Sequence, residues 1–145
     1  MSQSPMAASV FGATNPPTSE DGVQRFGSVI GLKPEMEAEY RELHANAWES
    51  VTTCLATHHI RNYSIFITQL EGKTYLFSYY EYTGSDYEQD MRLVSADPET
   101  QRWWRATDPC QIQLPGRAPG ANWSDMERVF FYSGSEGNLG SEFLL

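Results

Sequence analysis

Basic residues are scarce: ten Lys and Arg stand against nineteen Asp and Glu, a net charge of −9 with the three His neutral. A nucleic-acid binder needs a basic face to neutralise phosphates, and an anionic membrane surface asks for the same, so neither partner is expected. No apolar run reaches the roughly 18 residues of a membrane-spanning helix. The first basic residue is Arg25, so the N-terminus lacks the charged start of a secretory signal. Cys54 and Cys110, the only two cysteines, form no disulfide framework and no metal-ligand spacing. They read as reduced thiols of a cytoplasmic protein. A Gly-rich phosphate loop, a Ser-His-Asp arrangement and a Cys-x-x-Cys pair are also missing. With 145 residues the chain has room for one domain and no second.

The ends are poor in what folds a chain. Residues 1–24 are rich in Ser, Pro, Ala, Thr and Gly, and residues 134–145 in Gly, Ser and Glu, with Phe11 and Phe143 their only aromatics. Neither end carries the apolar surface that offsets ordering entropy, so both are expected to be mobile tails around a domain at 25–133. All ten basic residues lie in that domain.

Within it, Phe26, Ser28, Ile30 and Leu32 alternate with Gly27, Val29 and Gly31 as a strand, and the glycines leave room for a close neighbour. Pro34 then opens a helix, with Glu35, Glu37 and Glu39 at its positive end. Apolar residues recur at three and four from Met36 to Leu55, which predicts one amphipathic helix of about five turns. Asn62–Leu70 and Thr74–Tyr82 alternate around Glu71-Gly72-Lys73 and read as a hairpin. Gly84-Ser85-Asp86 caps a helix over Tyr87–Ser95, and a further turn or two carries Gln101–Ala106. Pro109–Trp123 reads as a long loop and Met126–Tyr132 as a last strand. The order is β-α-β-β-α-β, the α+β ferredoxin-like split βαβ plan with helices on one face of an antiparallel sheet. The other face carries Tyr, Phe and Ile, so it lines a cavity or meets a second copy; a homodimer is expected.

Tyr40, His44 and Trp48 fall at i, i+4 and i+8, one stripe of the predicted helix. Such a stripe lines a ring-shaped ligand or forms an ordinary core edge; imidazole is the usual acid–base group near neutrality. His58 and His59 suit a helix C-terminus and have no third ligand for a metal. The adjacent Trp103 and Trp104 cannot share a helix face, so one is expected in the core and the other at a pocket, where indole stacks on sugar or other flat faces. Tyr63 is a weaker signal of the same kind. Asp90, Asp97 and Asp108 read as caps or surface charges. Cys54 and Cys110 lack an activating neighbour in sequence.

The segments Phe26-Gly27-Ser28-Val29-Ile30-Gly31-Leu32-Lys33-Pro34-Glu35, Glu39-Tyr40-Arg41-Glu42-Leu43-His44-Ala45-Asn46-Ala47-Trp48, Ile60-Arg61-Asn62-Tyr63-Ser64-Ile65-Phe66, Ala96-Asp97-Pro98-Glu99-Thr100-Gln101-Arg102-Trp103-Trp104 and Thr107-Asp108-Pro109-Cys110-Gln111 resemble the L-rhamnose mutarotase family, in order from about Arg25 to Tyr132. The resemblance implies a dimeric α+β barrel enzyme, an isomerase that interconverts the α and β anomers of L-rhamnose or a related deoxysugar. It implies no cofactor and no metal. It places the family's proton-donor histidine on His44 and its sugar-binding residues on Tyr40, Tyr63, Trp103 and Trp104. The chain departs from the family in its two tails and in Ala47, where proline is frequent. Ring opening needs a proton at the ring oxygen and another leaving the anomeric hydroxyl, which an imidazole with pKa near 6.5 can serve. The second carrier is left open between Tyr40, Tyr63 and a water. The competing classes on this fold are a cofactor-free monooxygenase, a lactone isomerase and a non-catalytic ligand-binding module.

Overall fold

Strand β1 (Gln24–Leu32) buries Phe26, Ser28, Ile30 and Leu32 on one face, as its alternation predicts, in a computed structural model that describes residues 20–132. Strands β2 (Ile60–Leu70) and β3 (Lys73–Tyr82) form the expected hairpin. The turn is Glu71-Gly72, both at positive φ (52° and 79°), the geometry that matches the twist of a two-residue hairpin. β3 pairs antiparallel with β1 from Gln24 opposite Tyr82 to Gly31 opposite Tyr75. Two short strands, β4 (Gln111–Ile112) and β5 (Ser124–Met126), pair antiparallel along the other edge of β1. The order β2-β3-β1-β4 is that of the split βαβ plan, so the α+β ferredoxin-like expectation holds.

The glycines of β1 do admit close neighbours. A Cβ on Gly31 would sit 3.0 Å from the Ile112 carbonyl oxygen of β4. One on Gly27 would sit 3.2 Å from Cε of Met126 on β5.

Four helices lie on the buried side of the sheet: α1 (Glu37–Ala45), α2 (Glu49–Thr57), α3 (Tyr87–Ala96) and α4 (Pro98–Thr107). The single five-turn helix predicted after Pro34 is therefore two helices, entered through a 3-10 turn at Pro34–Met36. Asn46 stops the first: its backbone N–H and its side-chain amide both donate to the Glu42 carbonyl, at 3.2 and 3.1 Å. Trp48 is extended, and its carbonyl accepts the first bonds of α2 from Val51 and Thr52. The stripe Tyr40–His44–Trp48 thus ends at His44. Trp48 packs edge-on against Trp103, under the Arg102 guanidinium. Likewise α4 is longer than a turn or two from Gln101. Asp97 accepts from the Thr100 N–H at 2.8 Å and Pro98 fills the first position, two signals that start a helix at once.

The last strand is shorter and earlier than Met126–Tyr132. β5 opposes only Gly27–Val29, after which Arg128 turns to bind Glu20, and Phe131 sits under the guanidinium groups of Arg25 and Arg128. Residues 20–24, placed in the N-terminal tail by composition, belong to this clasp: Val23 is buried, and Glu20 pairs with both arginines. The rest of both expected tails lies outside the described residues. Among those described, no helix is long and apolar enough to cross a membrane.

Two apolar clusters hold helices to sheet. One joins Phe26, Ile60, Tyr80 and Tyr82 to Cys54, Met91 and Val94; the other joins Ile30, Leu32 and Leu76 to Tyr40 and Cys110. A cavity lies where they meet.

Candidate active site

Helix α1 brings Tyr40 and His44 to that cavity, because residues four apart share a helix face. Tyr40 is 5 % exposed and its ring lies against the His44 imidazole, centroids 4.2 Å apart. His44 Nδ1 is 2.9 Å from the Tyr40 carbonyl oxygen. A carbonyl only accepts, so Nδ1 carries the proton and Nε2 holds a lone pair. Burial pushes the His44 pKa down, opposed in part by that backbone bond, so the ring is neutral at pH 7. It is a base at rest.

The hairpin and α4 supply the aromatic walls. Tyr63 on β2 follows Asn62, whose positive φ marks a break in the β2–β3 register between Arg61 and Ser64. Its ring meets Tyr80 at 5.2 Å, and although 38 % of its surface is exposed, its phenol is enclosed enough to be pushed up to about 12. The Tyr40 phenol is pushed up further, again by desolvation. Trp103, 9 % exposed, meets His44 edge-on at 5.1 Å. Trp104 packs against the Phe26 cluster, yet both tryptophans line the cavity. The expected split between one core and one pocket indole does not occur, because the cavity wraps the end of α4.

All five residues expected from sequence are therefore walls of one cavity. It encloses about 50 Å³ and shares His44, Tyr63, Ile65, Trp103 and Trp104 with a neighbouring hollow of about 310 Å³. The latter reaches the lower end of the range for small-molecule sites.

Sequence reasoning missed a polar wall. Thr107, Asp108, Gln111, Asn122 and Trp123 also line the cavity. Gln111, on β4, reaches the Tyr40 hydroxyl at 3.4 Å. Asp108, expected as a cap or surface charge, is an exposed residue at the C-terminus of α4 that also borders the cavity; it accepts from Asn122 Nδ2 at 3.3 Å, and partial desolvation raises its pKa despite that bond. Asn122 in turn accepts from Gln113 at 2.7 Å, which fixes its amide with the NH2 toward Asp108. The available signal was that Asp108 follows Trp104 by four residues; its partner Asn122 lies across a loop, which spacing does not reveal.

Other candidates stay outside. Cys54 and Cys110 are buried thiols whose pKa values burial raises, the opposite of an activated nucleophile. His58 terminates α2 and bonds back to the Cys54 carbonyl at 2.8 Å.

A ferredoxin-like α+β domain with a partly open cavity walled by indoles, phenols, an imidazole and a carboxyl group has the walls suited to a small polar ligand. The sequence profile of the L-rhamnose mutarotase family matches residues 25–132, and the chain belongs to that family, which interconverts rhamnose anomers. It is 30 % identical to the L-rhamnose mutarotase of Listeria monocytogenes serovar 1/2a over 112 residues, covering 75 % of this chain and 98 % of that one. It is 27 % identical to that of Bacillus subtilis over 109 residues, 75 % of this chain and 98 % of the relative. The crystal structure of an L-rhamnose mutarotase from Formosa agariphila shares the fold, with a TM-score of 0.56, 21 % identity and coverage of 76 % of this chain and 99 % of that one.

Proposed function

We propose that this chain interconverts the α and β anomers of L-rhamnose by acid–base opening and closing of the pyranose ring, with His44 moving the proton and Tyr40, Tyr63, Trp103 and Trp104 holding the sugar. The observation that carries this is the 2.9 Å contact of His44 Nδ1 with the Tyr40 carbonyl, on a histidine that lines the cavity: a carbonyl only accepts, so Nδ1 carries the proton and Nε2 is left to take one. Nε2 takes the anomeric hydroxyl proton as the C1–O5 bond breaks, and the ring oxygen is protonated by a second group. Rotation about C1–C2 and closure on the opposite face give the other anomer, and His44 returns its proton. Two indoles beside phenol hydroxyls offer a stacking face and hydrogen-bonding groups, the two halves of sugar recognition.

We further infer a cytoplasmic homodimer joined through the open sheet face. Val29, Phe77 and Phe66 lie side by side across β1, β3 and β2 on that face, and Phe66 is 64 % exposed.

Because no net reaction occurs, the test is NMR magnetisation exchange between the anomeric protons of L-rhamnose. Wild-type protein accelerates exchange, and at the pH of greatest activity His44→Asn lowers that acceleration about 10²–10⁴-fold, the range for a positioned acid–base group. Near wild-type exchange by His44→Asn would assign the chemistry elsewhere.

A further inference from the structure

The proton required at the ring oxygen needs a donor. Among the described residues that wall the cavity, Tyr40, His44, Tyr63 and Asp108 are the titratable ones, with no Lys or Arg. We propose that Asp108 is the second proton carrier, working as a pair with His44 on the anomeric centre; this rests on the anomer-exchange reading above.

Geometry supports Asp108 in three ways. It sits in the cavity that His44 lines, at the point where α4 ends and the chain turns toward β4. One carboxyl oxygen, Oδ1, is held by Asn122, whose amide is fixed by Gln113. The carboxyl makes no ion pair among the described residues, so Oδ2 remains for a ligand. The tyrosines are poorer carriers, because desolvation drives both phenols far above neutrality. Desolvation acts on His44 and Asp108 in opposite directions, lowering one and raising the other. The two proton affinities converge, and a proton passed between them through the sugar meets a smaller uphill step.

The step balances. His44 Nε2 takes the O1 proton, and the O–H electron pair becomes the second bond of the C1 carbonyl. The C1–O5 pair goes to O5, which takes the Asp108 carboxyl proton. On closure the Asp108 carboxylate reclaims that proton as O5 attacks C1, and His44 returns its own to O1. The working pair holds one proton. With two it has no base, and with none it has no acid, so exchange is bell-shaped in pH. The groups that share the cavity with Asp108 are His44 and Tyr40 on α1, Tyr63 on β2, and the neutral Gln111 and Asn122.

The test compares wild type, Asp108→Asn and Asp108→Glu by anomeric exchange of L-rhamnose from pH 4 to 8. Asp108→Asn is expected to lose about 10²-fold or more in kcat, with KM changed far less, and its bell to collapse to a single limb. Asp108→Glu keeps the bell with partial activity. Retention of kcat by Asp108→Asn, or a rise in KM alone with the bell intact, would overturn the assignment and leave Asp108 as a sugar contact. Should Asp108→Asn fail to fold, a single limb in the wild-type profile overturns it equally. Wild type inactive on L-rhamnose would reject the proposed function and this inference together; wild type active beside an unimpaired Asp108→Asn would reject this inference alone.

Discussion

His44 has a cost as well as a use. Its imidazole is held half-buried in the neutral form, with a pKa below the ordinary value. Between that depressed value and about 6.5 the unfolded chain binds a proton that the folded chain does not. Stability is therefore fully present above about pH 6.5 and lost as pH falls below it. Urea midpoints for wild type are expected to drop from pH 7.5 to 5.5, and His44→Asn should flatten that dependence. A midpoint shift of equal size in the variant would show that His44 carries none of it. At this scale the sequence was informative where neighbours on one helix sufficed. Tyr40 and His44 were legible from four-residue spacing because α1 runs unbroken through both. Trp48 was misplaced because Asn46 competes for the Glu42 carbonyl, a local side-chain bond that apolar periodicity does not report. Asp108 is exposed at the end of α4, as expected; that it also borders the cavity was not legible, because its partner Asn122 comes from across a loop.

Among the elements, β4 has two residues and depends on a single neighbour, yet it positions Gln111 on Tyr40. Its seat is Gly31. A methyl group there would meet the Ile112 backbone oxygen at 3.0 Å and Ile112 Cβ at 3.1 Å, and a backbone atom has little room to give. Gly31→Ala is expected to cost about 1–3 kcal/mol in urea unfolding, the range for overpacking, and to raise the KM for sugar as Gln111 withdraws. An unchanged KM in a destabilised variant would mean that β4 shapes the fold and not the site. The strands of the hairpin were legible because alternation and a Glu-Gly turn agree. The two short edge strands were not, since two or three residues give no period to read, and the reach of β5 is set by Arg128 turning back to Glu20.

At the scale of the whole molecule, the sheet has one face under four helices and, among the described residues, no helix on the other. Across that other face, direct cross-strand partners place Val29 against Phe77 and Phe77 against Phe66, with Tyr75 and Tyr79 on β3 to either side. An apolar row through three strands is what a protein surface avoids unless something covers it. In the proposed homodimer a second copy presenting the same row would cover it symmetrically, since a two-fold interface is self-complementary. Sedimentation equilibrium at micromolar concentration should return twice the 16.4 kDa chain mass. Phe66 is the residue that tests the proposed dimer, because it is exposed in the single chain and would be covered in the pair. Phe66→Asp would set two carboxylates against each other in the buried seam, where neither has a counter-charge, and should shift the protein to monomer with its circular dichroism unchanged. A Phe66→Asp protein that still sediments at twice the chain mass would place the interface on another surface, and a wild type at 16.4 kDa would remove the dimer altogether.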